Sequence, residues 1–482
     1  MKKHYKIIVF ALILLTGMIT NAQVQLPKIL GNNMVLQQGK RVPVWGTSTP
    51  GDHIAVSFNK QTKHTIANAS GKWEIFLDPP KASAIPDEMK IAGSTTILLH
   101  NILVGEVWLC SGQSNMEYTM RKNSKVLKTD SAKNSPIDEL KTARNSNIRI
   151  FLVTSKNLHQ PDSLHLGWSI ASDSALRSFS AAGYFFAKEL YDKLHVPIGV
   201  ISAAIPGSAI EPWLPGTIIP GNENFSGSAG MKLDASMPGK FYPTMIKPVA
   251  PFSLKGFLWY QGETNCFQNE AIEYTHKMNL LINGWRNLWQ ADLPFYYVQI
   301  SPFFYSKSKG KYPLDEETLP RFWEAQTHAM SISHTGMIVI NDLAKSPEDL
   351  HPNGKWEVGR RLAQWPLAMD YGRKVTPSGP KYKSMTVEGN AIILEFDYTG
   401  KGLVSGSGPL TWFTIAGNDN KFVPADAVIK GDRVIVSSPQ VLKPANVRFA
   451  WNESAQPNFF NKDGLPAIPF RTNDSLHFKP IH

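Results

Sequence analysis

The sequence predicts an α/β protein in which a parallel sheet, covered on both faces by helices, is flanked by a β-rich module on either side. Three observations lead there. Short β-rich runs fill the first part of the chain, strand and helix patterns alternate through its middle, and the helical pattern disappears after about Pro380. A chain of 482 residues is long enough for roughly two or three cores.

Residues 1–22 read as a secretory leader. Lys2, Lys3 and Lys6 precede an apolar run from Ile7 to Ile19, and small and polar residues follow up to Ala22, where cleavage is expected. The run is shorter than the ~20 apolar residues of a spanning helix, and no later stretch reaches that length. Export is therefore expected, to the periplasm or outside the cell, with no membrane span after cleavage. Losing the leader removes three lysines and no acid, which takes the formal charge from +11 to +8. That excess lies in no block of like charge and implies no nucleic-acid partner. With only Cys110 and Cys266, the chain is no disulfide scaffold.

Residues 23–103 alternate runs such as Val42-Pro43-Val44-Trp45 and Ile54-Ala55-Val56-Ser57-Phe58 with Gly, Pro, Asn and Asp turns, the pattern of a small antiparallel sandwich. Residues 104–379 form the α/β unit. Val107-Trp108-Leu109-Cys110 is its first strand. Phe186, Leu190 and Leu194 line a helix before a strand at Val196–Ala204. Tyr274, Met278, Leu281, Trp285 and Leu288 line another before Phe295–Ile300. Met337–Ile340 reads as the last parallel strand, and Val358 with Leu362 begins a closing helix. Residues 380–482 return to strands, such as Ala391–Phe396 and Arg433–Ser437. Without a low-complexity linker, the modules are expected to pack closely.

Sites in parallel sheets lie at the carboxyl ends of the strands, and three segments join such ends to polar or glycine-rich residues. In Cys110-Ser111-Gly112-Gln113-Ser114-Asn115-Met116, Gly112 permits a tight turn that exposes the Ser114 hydroxyl beside main-chain N–H groups able to face an oxyanion, the alternative being a polar loop with a helix-capping Ser. Met116 stands where a Gly-x-Ser-x-Gly elbow has its last Gly. Ser202 to Trp213 places Gly207 after a strand, where an unhindered N–H can point into a cleft, although the segment alone reads first as an ordinary Pro-Gly turn. Gly256 to Asn265 runs an apolar strand into Gln261, Glu263 and Asn265, groups that are costly to bury without partners.

Ser-Gly-Gln-Ser-Asn-Met, Trp-Tyr-Gln-Gly-Glu-Thr-Asn and Asp349-Leu350-His351-Pro352, in that order, resemble the sialate O-acetylesterase family of SGNH-type hydrolases. Asn33–Gln37, Val42–Gly46 and Gly464–Arg471 extend the resemblance over most of the chain. It implies a three-layer α/β/α sheet and a serine esterase that removes O-acetyl groups from sugars, with O-acetylated sialic acids first among the substrates. Acetylxylan or another acetylated polysaccharide is the alternative substrate, and a non-catalytic carbohydrate-binding protein the alternative class. Carried across, the nucleophile is Ser114, the base His351 and an oxyanion donor Gly207. The Gly-x-Asn offset from Gly262 falls on Thr264, so Gln261 and Asn265 share the side-chain donor role.

Asp349 is the favoured orienting acid, with Glu348 in reserve at the usual three-residue spacing and Asp342 further off. Asp162 with His165 and Asp474 with His477 match that spacing too, but neither pair follows a predicted strand at the right place. Glu211, Trp213 and Glu263 are candidates to hold the sugar, against the plainer reading in which Trp213 packs under its loop. Ile205-Pro206-Gly207-Ser208 and Tyr242-Pro243-Thr244-Met245 depart from the family pattern and bear on the substrate. Cys110 and Cys266 adjoin neighbouring strands, where buried free thiols are favoured over a disulfide. No metal-binding motif is present, and no metal or organic cofactor is expected.

Overall fold

Strand and helix alternate where their periodicity predicts them, and the parallel strands assemble into one sheet. The computed structural model describes residues 23–127, 135–153, 167–216 and 238–473. The leader and the pairs Asp162/His165 and Asp474/His477 lie outside the described residues. The central strands are β1 (Thr96–Gly112), β2 (Ile148–Leu152), β3 (Ser169–Ile170), β4 (Ile198–Ala204), β5 (Gly256–Tyr260), β6 (Phe295–Val298) and β7 (Thr335–Ile338). Their spatial order is β7-β6-β5-β1-β4-β2-β3. All pairs are parallel except the antiparallel edge pair β2 and β3.

The helices α1 (Ala181–Leu194), α2 (Ile272–Trp289), α3 (Thr318–His328) and α4 (Lys355–Met369) divide between the two faces. Alternation along β1 explains the layering. Trp108 and Cys110 point into a core with Phe186 of α1 and Trp365 of α4, whereas Val107 and Leu109 join the core that holds Trp285 of α2 and Phe322 of α3. Trp108 meets Phe186 edge-on at 5.2 Å on one side, and Phe257 meets Trp285 at 5.3 Å on the other. Cys110 and Cys266 are both buried free thiols.

The amino-terminal region joins the sheet through a strand rather than a linker. β1 is 17 residues long, and the expected junction at residues 103 and 104 falls inside it. Its first half pairs antiparallel with Ser83–Ala92, and Leu103–Gly105 pair parallel with Val35–Gln37. The carboxy-terminal strands form antiparallel sheets around Ile392, Leu394, Phe413, Val434, Phe449 and Phe459. Arg471 docks them with paired 2.8 Å bonds to Glu324 of α3, and Arg448 with a 2.9 Å bond to Glu317.

Candidate active site

Register brings the three polar segments together. Gly112, the last residue of β1, lies opposite Ala204 at the end of β4 and Tyr260 at the end of β5. The central strand therefore ends between its two neighbours, at the carboxyl edge where chain direction across the sheet reverses. Gly112 has φ +142°, and a Cβ there would come 2.2 Å from the Tyr260 carbonyl oxygen, so only glycine allows this turn so close to β5.

The turn delivers Ser114 to the start of a short helix, Ser114–Glu117, half-exposed beside the loop after β7. Its Oγ lies 2.9 Å from His351 Nε2. Burial, reinforced by the Lys355 ammonium and opposed by Asp349, holds His351 below its ordinary pKa, which favours the neutral ring that can accept a proton. Asp349 accepts from the main-chain N–H of His351 at 2.8 Å and acts on the ring through its charge. Among the described residues, no acid bonds the second ring nitrogen. Glu348 is exposed, and Asp342 is bound to Arg361 at 2.6 and 2.7 Å.

Gly207 is exposed at φ +72° with open space around its Cα, and no acceptor among the described residues takes its N–H. The two amides expected to serve as donors are engaged elsewhere. Asn265 Nδ2 bonds Glu211 and Glu270, each at 3.2 Å, while its Oδ1 accepts from Ile210 N and Gln261 Nε2. Gln261 Nε2 donates to Gln113 Oε1, the Ser208 carbonyl and Asn265 Oδ1.

The three candidates for holding a sugar are enclosed by protein. Glu211 is fully buried and pairs with Lys277 at 2.5 Å. Trp213, also fully buried, donates to Ser208 Oγ at 3.1 Å and packs on Phe241 and Trp259, the plainer reading of the two. Glu263 is 1% exposed and accepts from Asn115 Nδ2 at 2.5 Å.

Four further residues emerge. Gln113 Oε1 accepts from Gln261 Nε2, Gly262 N and Thr264 N, and its own amide nitrogen has no acceptor among the described residues. Asn115 and Lys355 form a buried hydrogen-bonded pair at 2.7 Å. Lys277 lies between Glu211 and Glu270, at 2.5 Å from each. Gln113 and Asn115 flank the serine in its motif, and Lys277 interrupts the apolar stripe of Tyr274, Met278 and Leu281, signals available in the sequence.

The profile of the family described as carbohydrate esterase, sialic acid-specific acetylesterase matches residues 104–367. The Homo sapiens sialate O-acetylesterase is 27% identical over 419 residues, spanning 77% of this chain and 75% of that protein. The Mus musculus sialate O-acetylesterase is 28% identical over 433 residues, 77% of this chain and 78% of that one. A solved carbohydrate acetylesterase from Xanthomonas citri superposes with a TM-score of 0.81 at 35% identity, covering 94% of this chain and 100% of the other.

Fold and likenesses together define a carboxylic ester hydrolase of the SGNH type. The chain belongs to the sialic acid-specific acetylesterase family of carbohydrate esterases. Among its described residues, no helix is long and apolar enough to cross a membrane.

Proposed function

We propose that this chain is an exported serine esterase that removes O-acetyl groups from sugars, with O-acetylated sialic acids as its first substrate class. The observation that carries this reading is the 2.9 Å contact of Ser114 Oγ with His351 Nε2 at the carboxyl edge of the sheet. The names of the mammalian relatives favour sialic acids among acetylated sugars.

In the proposed cycle, His351 takes the Ser114 proton as Oγ attacks the acetyl carbonyl carbon. The tetrahedral intermediate collapses, the C–O bond to the sugar breaks, and the leaving sugar oxygen takes the proton from His351. Water then attacks the acyl-enzyme with His351 again as base, releasing acetate and restoring Ser114. Asp349 supports the imidazolium by charge and holds its main chain. The N–H groups of Ser114 and Gly207 bind the oxyanion, and the free amide nitrogen of Gln113 supplies the side-chain donor, since those of Asn265 and Gln261 serve internal acceptors.

The test is acetate release from an O-acetylated sialic acid, from acetylated xylan and from a small aryl acetate, each with the parent and Ser114→Ala. Release from the sialic acid, abolished by the substitution, is the expected result. Release from xylan alone keeps the chemistry and replaces the substrate. Parental turnover by Ser114→Ala overturns the mechanism.

A further inference from the structure

His351 lies in a loop between β7 and α4 that has no regular secondary structure, and the acid beside it holds only its main-chain N–H. Yet the two carbonyls that flank His351 are both tied to one buried cluster. The Leu350 carbonyl accepts from Asn115 Nδ2 at 3.0 Å, and the Pro352 carbonyl from Lys355 Nζ at 2.7 Å. Lys355 Nζ also donates to Asn115 Oδ1 at 2.7 Å, and Asn115 Nδ2 to Glu263 Oε1 at 2.5 Å.

Lys355 and Asn115 are fully buried. A buried ammonium is unfavourable unless its donors and charge are met. Here they are met by a carbonyl, an amide that relays to the Glu263 carboxylate, and the rings of Tyr118 and Tyr260 at 4.9 and 5.2 Å. Asn115 is also the residue after Ser114, so one amide ties the nucleophile's turn to the loop of its base.

We propose that Lys355 and Asn115 form a clamp that positions His351 against Ser114, doing through main-chain tethers what a carboxylate on the second ring nitrogen does in a Ser–His–Asp triad. The proposal rests on reading Ser114 and His351 as nucleophile and base. Both clamp members are positioning residues, since neither touches the reacting atoms. The charged groups that act on the His351 ring are Lys355 at the start of α4, Asp349 in its own loop and Lys122 in the helix Met120–Asn123. Glu263 enters through Lys355. The Lys355 ammonium disfavours the imidazolium, so the clamp also keeps the base unprotonated toward lower pH.

The main test is the pair Lys355→Met and Glu263→Gln made together, which removes both buried charges and leaves neither unpaired. A misplacement of about 1 Å costs ~10²-fold in rate. The double variant is expected to lose about 10–100-fold in kcat with KM within about 2-fold, and the acid limb of kcat/KM should move to higher pH. Asn115→Ala, which cuts the Leu350 tether and removes no charge, should lower kcat by at least about 10-fold with the limb in place. Parental kcat in either folded variant overturns the clamp, as does a fall in kcat with an unmoved acid limb in the double variant. Turnover by Ser114→Ala would instead overturn the reading on which the clamp stands.

Discussion

Replacing Lys277 by Met is expected to destabilise the central sheet strongly at pH 7 and more so at pH 9. Lys277 Nζ lies 2.5 Å from a carboxylate oxygen of Glu211 and 2.5 Å from one of Glu270, with the lysine and Glu211 fully buried and Glu270 7% exposed. Without the cation, two carboxylates converge on Asn265 Nδ2, 3.2 Å from each. Removing one partner from a buried ion pair costs about 3–5 kcal/mol. At roughly 2 °C per kcal/mol for a unit of this size, Tm should fall by about 6–10 °C at pH 7.

Glu270 supplies the pH dependence. Burial, the largest influence, raises it to about 7, although Lys277 pulls the other way. An acid raised in the folded state binds more protons there than in the unfolded chain. Its contribution therefore weakens stability as pH climbs from its ordinary 4.5 toward 7 and is relieved below that window. Without Lys277 the window extends above 7, so parent and variant lose this contribution alike between pH 5 and 7, and only the variant goes on losing it at higher pH. Thermal unfolding of parent and Lys277→Met at pH 5, 7 and 9 reads this directly, and Glu270→Gln added to Lys277→Met should restore part of the loss at pH 7 and 9. A drop of equal size at pH 7 and 9, or one under about 2 °C at pH 7, would refute the reasoning.

Three further outcomes concern catalysis. Because His351 is depressed below its ordinary 6.5, the acid limb of kcat/KM should centre below that pH, and a pH–rate profile with its acid limb centred above 6.5 contradicts the site's electrostatics. Gly207→Ala meets no steric obstacle but forces an L-residue to φ +72°. It should lower Tm by only about 2–4 °C and kcat by at least about 10-fold as the N–H turns from the oxyanion, measured on an aryl acetate. Gln113→Glu keeps an oxygen for the donors from Gln261, Gly262 and Thr264 but replaces the free amide nitrogen, so kcat should fall by about 10²–10³-fold in a folded protein.

Periodicity carried the middle of the chain well. The helix read from Phe186, Leu190 and Leu194 is α1, the stripe from Tyr274 to Leu288 is α2, and the strand read at Val196–Ala204 is Ile198–Ala204. Each signal comes from residues within a few positions of one another, the range over which propensity and side-chain direction act. β1 was legible only as Val107–Cys110, because its other residues are extended by partners that lie far off in the chain, Ser83–Ala92 and Val35–Gln37.

The site divides the same way. Residue types and motif order single out Ser114 and His351, and these meet across 237 positions. The sequence by itself determined that the chain is built of alternating strands and helices between β-rich ends and that a serine and a histidine stand after strands in the order of an esterase. Only the tertiary structure decided that Asp349 holds a main-chain N–H, that the amides of Gln261 and Asn265 are engaged inside, and that Glu211, Trp213 and Glu263 are buried. The reason is competition. In a low-dielectric interior each donor and acceptor must find a partner, and which partner it finds depends on groups that the fold, not the sequence neighbourhood, brings within 3 Å.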